Sequence, residues 1–146
     1  MIEPLNIIIR PFDPSDEKSV IKLWTDCGLV VPWNNPQRDI RRKLKVQADG
    51  FLVALTDGQI IATVMAGYEG HRGWINYLAV DPRFRQRGIG RHLMGAAEAY
   101  LRALGCPKIN LQVRSSNAGV IEFYNRIGFK TDEALSLGKR LESDEV

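Results

Sequence analysis

Thiols and imidazoles are scarce in this chain, with two cysteines (Cys27, Cys106) and two histidines (His71, His92) among 146 residues. The cysteines form no Cys-x-x-Cys pair and the histidines lack metal-ligand spacing, so neither a metal site nor a disulfide framework is expected. Free, packed thiols suit a reducing compartment. Long apolar runs are missing as well. The longest, 52–55 and 60–66, fall far short of the roughly 20 residues that cross a bilayer. Met1-Ile2-Glu3-Pro4 has no basic region followed by an apolar stretch, as a signal peptide would. A cytoplasmic protein without membrane contact is the expectation. Repeats, linkers and low-complexity tracts are also absent, so residues 1–146 read as one domain. The net charge of +3 is too small to imply nucleic acid by itself.

What is there is ordinary for a soluble globular domain: 45% hydrophobic and 25% charged residues, on a chain long enough to bury a core. Only the acidic tail 142–146 reads as disordered. Residues 6–10 (NIIIR) form a β-branched first strand, broken by Pro11–Asp16. Ser15 or Asp16 can cap a helix carrying Val20, Ile21, Leu23 and Trp24 on one face and ended by Gly28. An irregular VVPWNNP connector leads to a basic helix with Ile40, Leu44 and Val46, reaching about Ala48. FLVAL, a Thr-Asp-Gly-Gln turn and IIATVMAGY then read as an antiparallel hairpin. WINYLAV is a strand closed by Asp81-Pro82. From Ile89, the residues Leu93, Ala97, Tyr100, Leu101 and Leu104 repeat at helical spacing until Gly105 and Pro107. INLQV is a strand, 117–127 a helix stopped by Gly128, and Phe129-Lys130 with 135–141 two closing strands. The order βααβββαβαββ predicts an α/β (α+β) mixed sheet with helices packed on it.

The most informative segment is WINYLAVDPRFRQRGIGRHLM. A strand runs into a loop with Arg83, Arg85, Arg87, Gly88, Gly90 and Arg91, and the loop opens into a helix. Successive backbone N–H groups in a Gly-rich turn at a helix start form an anion site. Gly88 and Gly90 let the backbone approach a ligand closely, and the arginines suit several phosphates. A Walker A loop fails, because Gly90 is followed by Arg91-His92 rather than Lys-Ser/Thr. A dinucleotide fingerprint fails too, since position 93 is Leu and the region of Lys108 is basic.

The loop and a second segment together resemble the GNAT acetyltransferases. The family's Arg/Gln-x-x-Gly-x-Gly/Ala pattern, which follows its fourth strand, is met by Arg85-Gln86-Arg87-Gly88-Ile89-Gly90. Its later helix, with Asn near the start and Tyr before a basic residue and Gly-Phe, is met by NAGVIEFYNRIGF. The element order agrees along nearly the whole chain. PWNNP, GHRG, LGCPKI and LSLGKRL resemble the bacterial YpeA-type subgroup. The resemblance implies the fold class just given and acetyl-CoA as co-substrate, its pyrophosphate on residues 85–90 and Arg91. The strand 76–80, with Leu78, Ala79 and Val80, would offer main-chain groups to the pantetheine arm, and the amide of Ala79, or a neighbour, would polarise the thioester carbonyl.

On the later helix, Asn117, Ile121 and Tyr124 share one stripe. Asn117 and Tyr124 are separated by about 10 Å of axial rise, the reach of a pantetheine arm. The resemblance makes Asn117 a cofactor contact and Tyr124 the general acid for the leaving thiolate. Asn117 as a plain helix cap and Tyr124 as a plain core residue are the alternatives. Glu69, His71 and Tyr77 border the implied acceptor cleft, with Glu69, through a water, as candidate base. Trp24, Trp33, Asn34 and Asn35 would line the acceptor side, with buried packing an equal alternative for Trp24. The implied activity is acetyl transfer to a primary amine by a monomer or homodimer. An acyl-CoA-binding regulatory domain without turnover is the first rival. A nucleic-acid module on Arg38, Arg41, Arg42, Lys43 and Lys45 is the second, but it lacks interleaved aromatics.

Overall fold

The computed structural model describes residues 5–145. Among the described residues, nine strands and α-helices follow one another: β1 (Ile8–Pro11), α1 (Glu17–Asp26), α2 (Pro36–Leu44), β2 (Phe51–Thr56), β3 (Gln59–Tyr68), β4 (Gly73–Val80), α3 (Ile89–Ala103), β5 (Ile109–Leu111) and α4 (Ala118–Arg126). The strands stand side by side in chain order. The first three pairings are antiparallel and the last, β4 with β5, is parallel. This is the mixed α/β sheet that the pattern predicts.

Local chemistry explains most of the boundaries. Asp13 and Asp16 form a reciprocal capping box over residues 14–16, so the first helix begins after a short 3-10 turn. Asn35 caps α2 by accepting from the Arg38 N–H. In the β2–β3 hairpin Asp57 and Gly58 both have positive φ, 49° and 76°, as a two-residue primed turn requires. The helix α2 stops at Leu44, short of the expected Ala48. Gln47 turns left-handed (φ 53°), and its amide bonds both the N–H and the carbonyl of Tyr68, which draws the chain onto β3.

Each face of the sheet has its own core. Leu93, Met94, Ala97 and Leu101 of α3 pack on Leu52, Ala54, Ile61 and Val64, joined by Tyr124 of α4. Val20, Leu23 and Trp24 of α1 and Ile40 of α2 pack on Phe51, Val53 and Met65 of the other face. Burying each such large apolar side chain contributes about 1.5–3 kcal/mol. Packing is closest at Gly50, where an added Cβ would meet the Ala66 carbonyl oxygen and stand 2.7 Å from Tyr100 Cε1. Gly50→Ala should therefore cost about 1–3 kcal/mol and lower the melting temperature by about 2–12 °C. An unchanged melting temperature would mean that this junction yields freely.

The two closing strands expected at Phe129-Lys130 and 135–141 do not form; the sheet ends at β5. Residues 132–136 lie beside β5 through side chains alone, Lys108 and Asn110 donating to Asp132 and Gln112 to Ser136. The alternating leucines that suggested a strand, Leu135, Leu137 and Leu141, are 92–93% exposed. They find no apolar surface to cover, so their period has nothing to fix it.

Candidate active site

The site is set by what β4 does along its length. β4 pairs with β5 only over Gly73–Ile75, so residues 76–80 run on with no ladder partner on that edge. Against β3 the register slips: Met65 faces Asn76 while Thr63 faces Ala79. Two residues of β4, Tyr77 and Leu78, thus oppose one of β3, which is a bulge. Tyr77 takes up the extra residue with φ 51°. The slip moves Tyr77 to the α1–α2 face, leaving Leu78 and Val80 on the α3–α4 face and Ala79 on the other.

The bulge is held firmly. Thr63 Oγ1 donates to the Tyr77 carbonyl (2.9 Å) and receives the Trp24 indole N–H (2.8 Å). The Trp24 ring stacks on Tyr77 at 3.9 Å between centroids, and the Tyr77 hydroxyl donates to Asp39 Oδ2 at 2.6 Å. Burial, then the Asp39 hydrogen bond, raises the Tyr77 pKa well above the usual phenol range. Trp24 is therefore a support of the site as well as a core residue. Asp39 is the residue that sequence reasoning passed over, since nothing in PQRDIRRKL marks one carboxylate as inward-facing.

Beyond β4 the chain enters the arginine loop. Gln86 and Gly88 have positive φ, 63° and 78°, on either side of Arg87. Gly88 caps α3 without a side chain, and the first turn of that 15-residue helix holds no acidic residue. The N–H groups of Ile89, Gly90 and Arg91 precede the first helical bond, His92 N–H to Gly88 carbonyl, so they are available to an anion. A Cβ on Gly88 would meet nothing within 4 Å, so the loop backbone there faces open space. Arg85 donates from Nε to the Val80 carbonyl (3.1 Å), tying the loop to the end of β4. Arg83 pairs with Asp81 (2.9 Å), and Arg85, Arg87 and Arg91 are all exposed.

Helix α4 completes the arrangement. An added Cβ on Gly90 would stand 3.3 Å from the Phe123 ring and 3.6 Å from Val80 Cγ2. The α3 N-terminus, the free half of β4 and the middle of α4 are thus in mutual contact. Next to Phe123, Tyr124 is buried edge-on between Phe123 and Phe129. Among the described residues its hydroxyl has no hydrogen-bond partner. Tyr124 lines a groove of about 1200 Å³ with Leu111, Val113, Ile121 and, from the C-terminal segment, Leu135 and Leu137; none of residues 76–80 or 85–91 lines that groove. Burial alone pushes its pKa up to about 12. Asn117 caps α4 by accepting from the Val120 N–H at 3.3 Å, a bond that uses its amide oxygen and not its N–H₂ donors.

Glu69 is in the β3–β4 turn, where one carboxylate oxygen accepts the backbone N–H groups of His71 and Arg72. Those bonds, that of Arg72 first, hold its pKa below the usual carboxylate range. Of the implied acceptor residues, Trp33 and Asn34 lie under the C-terminal segment through Arg140. Among the described residues, no three His, Cys, Asp or Glu side chains gather to hold a metal ion, and no helix is long and apolar enough to cross a membrane.

Residues 17–129 match the family model described as acetyltransferase (GNAT) family. This chain belongs to the GNAT acetyltransferases. An acetyltransferase of Pectobacterium atrosepticum is 48% identical over 136 residues, 93% of this chain and 96% of that one. The crystal structure of Ard1 from Thermoplasma volcanium superposes with a TM-score of 0.74 at 28% identity, covering 85% of this chain and 82% of that one. An aminoglycoside N-acetyltransferase solved in complex with CoA gives a TM-score of 0.76 at 18% identity, over 97% and 99% of the chains, and speaks for the fold alone. In this GNAT acetyltransferase the start of α3, the free half of β4 and α4 come together around Gly90.

Proposed function

We propose that the chain moves an acetyl group from acetyl-CoA to a primary amine by direct attack, within a complex holding both substrates. The observation that carries this reading is the contact of the uncapped α3 N-terminus with the free half of β4 and with α4, beside Tyr124. The pyrophosphate would take the N–H groups at residues 88–91 with Arg85, Arg87 and Arg91, and Gln86 and Ile89 would supply further backbone. The pantetheine arm would lie along Leu78, Ala79 and Val80, where β4 has no neighbour on its β5 edge, and Asn117 would donate to one of its amides. The bacterial YpeA-type subgroup, suggested by PWNNP and LSLGKRL, is the finer placement we favour.

In the transfer, the amine nitrogen bonds to the thioester carbonyl carbon and the C–S bond breaks. The Ala79 N–H would stabilise the carbonyl oxygen as it gains charge. Tyr124, still protonated throughout the neutral range, would give its proton to the leaving sulfur and regain one from solvent after the transfer. The amine's surplus proton would leave by solvent. Glu69 could accept it through its second oxygen and a water, but a carboxylate so acidic is a weak base and carries the smaller share. Holding both reactants in one cleft supplies much of the rate.

Binding tests this first. Acetyl-CoA at about 100 times its Kd, bound only by the folded state, adds about 2.7 kcal/mol. For a domain near 150 residues each kcal/mol moves Tm by about 2–4 °C, so a rise of about 5–10 °C is expected, with less from dephospho-CoA. No shift with any acyl-CoA would remove the reading.

A further inference from the structure

Asp144 lies near the end of the sequence, where a carboxylate is normally in water, yet its side chain is only 1% exposed. Arg42 holds it through two bonds of 2.8 Å, one to each oxygen. Arg140 adds a contact of 3.3 Å and Arg38 one of 3.7 Å. Arg42, then Arg140, keep the carboxyl far below the usual range. Such a two-pronged guanidinium grip is selective for planar anions.

The segment bearing Asp144 has little else to hold it. Leu135, Leu137 and Leu141 face solvent, and the remaining anchors are polar: Glu142 on Arg42, Arg38 on the Ser143 carbonyl (3.2 Å), and Arg140 on the Trp33 carbonyl and Asn34 Oδ1. A tail fixed for stability alone would be expected to bury its leucines. This one is attached mainly through charge, so a second carboxylate offers Arg42 the same pair of bonds that Asp144 makes. The position matters as well. Arg42 touches Asp39 (3.3 Å), and Asp39 holds the hydroxyl of Tyr77 on the free half of β4. The anion site is thus two contacts away from the stretch assigned above to the thioester.

We propose that Arg38 and Arg42 recognise a carboxylate on the amine acceptor, and that Asp144 occupies their site as a built-in competitor. Arg38 and Arg42 are one turn apart on α2 and present their heads together. The acceptor class is an amine with a carboxylate within reach, such as a short peptide. This deepens the acetyl-transfer reading and rests on it.

The test compares dipeptides with their C-terminal amides, at one pH, by initial rates of acetyl-CoA-dependent CoA release. The expected result is kcat/KM about tenfold higher for the acids. Asp144→Asn should lower KM for the acids several-fold and widen that ratio, while Arg42→Gln should collapse it towards one. A hydrogen-exchange measurement on Asp144→Asn should show 138–145 released, independently of turnover. Equal rates for acids and amides, in the wild type and in Asp144→Asn, would overturn the carboxylate site alone. Absence of turnover with every amine, despite acetyl-CoA binding, would remove the acetyl-transfer reading and this site with it.

Discussion

Gly88→Glu is expected to abolish the acetyl-CoA-dependent rise in Tm while the fold persists. The reasoning separates space from charge. Nothing lies within 4 Å of a Cβ at this position, so the side chain meets no steric block inside the protein. Its backbone has φ 78°, which costs a side-chain-bearing residue about 1 kcal/mol, or about 2–4 °C in Tm. What the carboxylate does is stand over the uncapped first turn of α3, take its N–H groups and repel phosphate. Gly88→Ala carries the same backbone strain without the charge and should keep part of the shift. Wild-type affinity in a folded Gly88→Glu protein would mean that the cofactor binds elsewhere.

Tyr124→Phe is the second large effect. Among the described residues the hydroxyl bonds to no protein group, so removing it should leave packing, Tm and acetyl-CoA affinity near their original values. If the phenol protonates the departing thiolate, kcat should fall about 10²-fold, within the usual range for a general acid. A CoA thiolate leaves fairly readily, so the loss could be as small as about tenfold. KM for acetyl-CoA should hold, the mark of an interaction made mainly in the transition state. The pKa of about 12 fixes the pH dependence: the acid is protonated well beyond the neutral range, so the wild-type to variant ratio should stay constant from about pH 7 to 9. Unchanged kcat would leave Tyr124 a core residue only.

The sequence made the hairpin, α3 and the arginine loop legible because each depends on local chemistry: Asp57-Gly58 for the turn, apolar spacing for the helix, Gly88 for the left-handed cap. Asp39 and the Tyr77 bulge were not legible. Both depend on a slip between β3 and β4 that turns one side chain to the opposite face, and WINYLAV reads equally well with or without it. The closing strands failed for a related reason. Alternation in ALSLGKRL states a period but not a partner, and here the leucines have no surface to meet. The partners of the basic stretch 38–45 were not legible either: Arg42 grips Asp144 and Lys43 donates to the Ala66 carbonyl at 2.7 Å. A partner about 100 residues away leaves no trace in the spacing of either segment.

The most direct measurement is the stoichiometry of transfer: wild-type protein, acetyl-CoA and a panel of primary amines, with CoA release and acetylated amine quantified together by mass spectrometry. Direct attack gives one acetylated amine for each CoA released, with no acetyl group left on the protein at any time. Tight acetyl-CoA binding without an acetylated product from any amine would contradict the account, and would leave a domain that senses acyl-CoA rather than one that uses it.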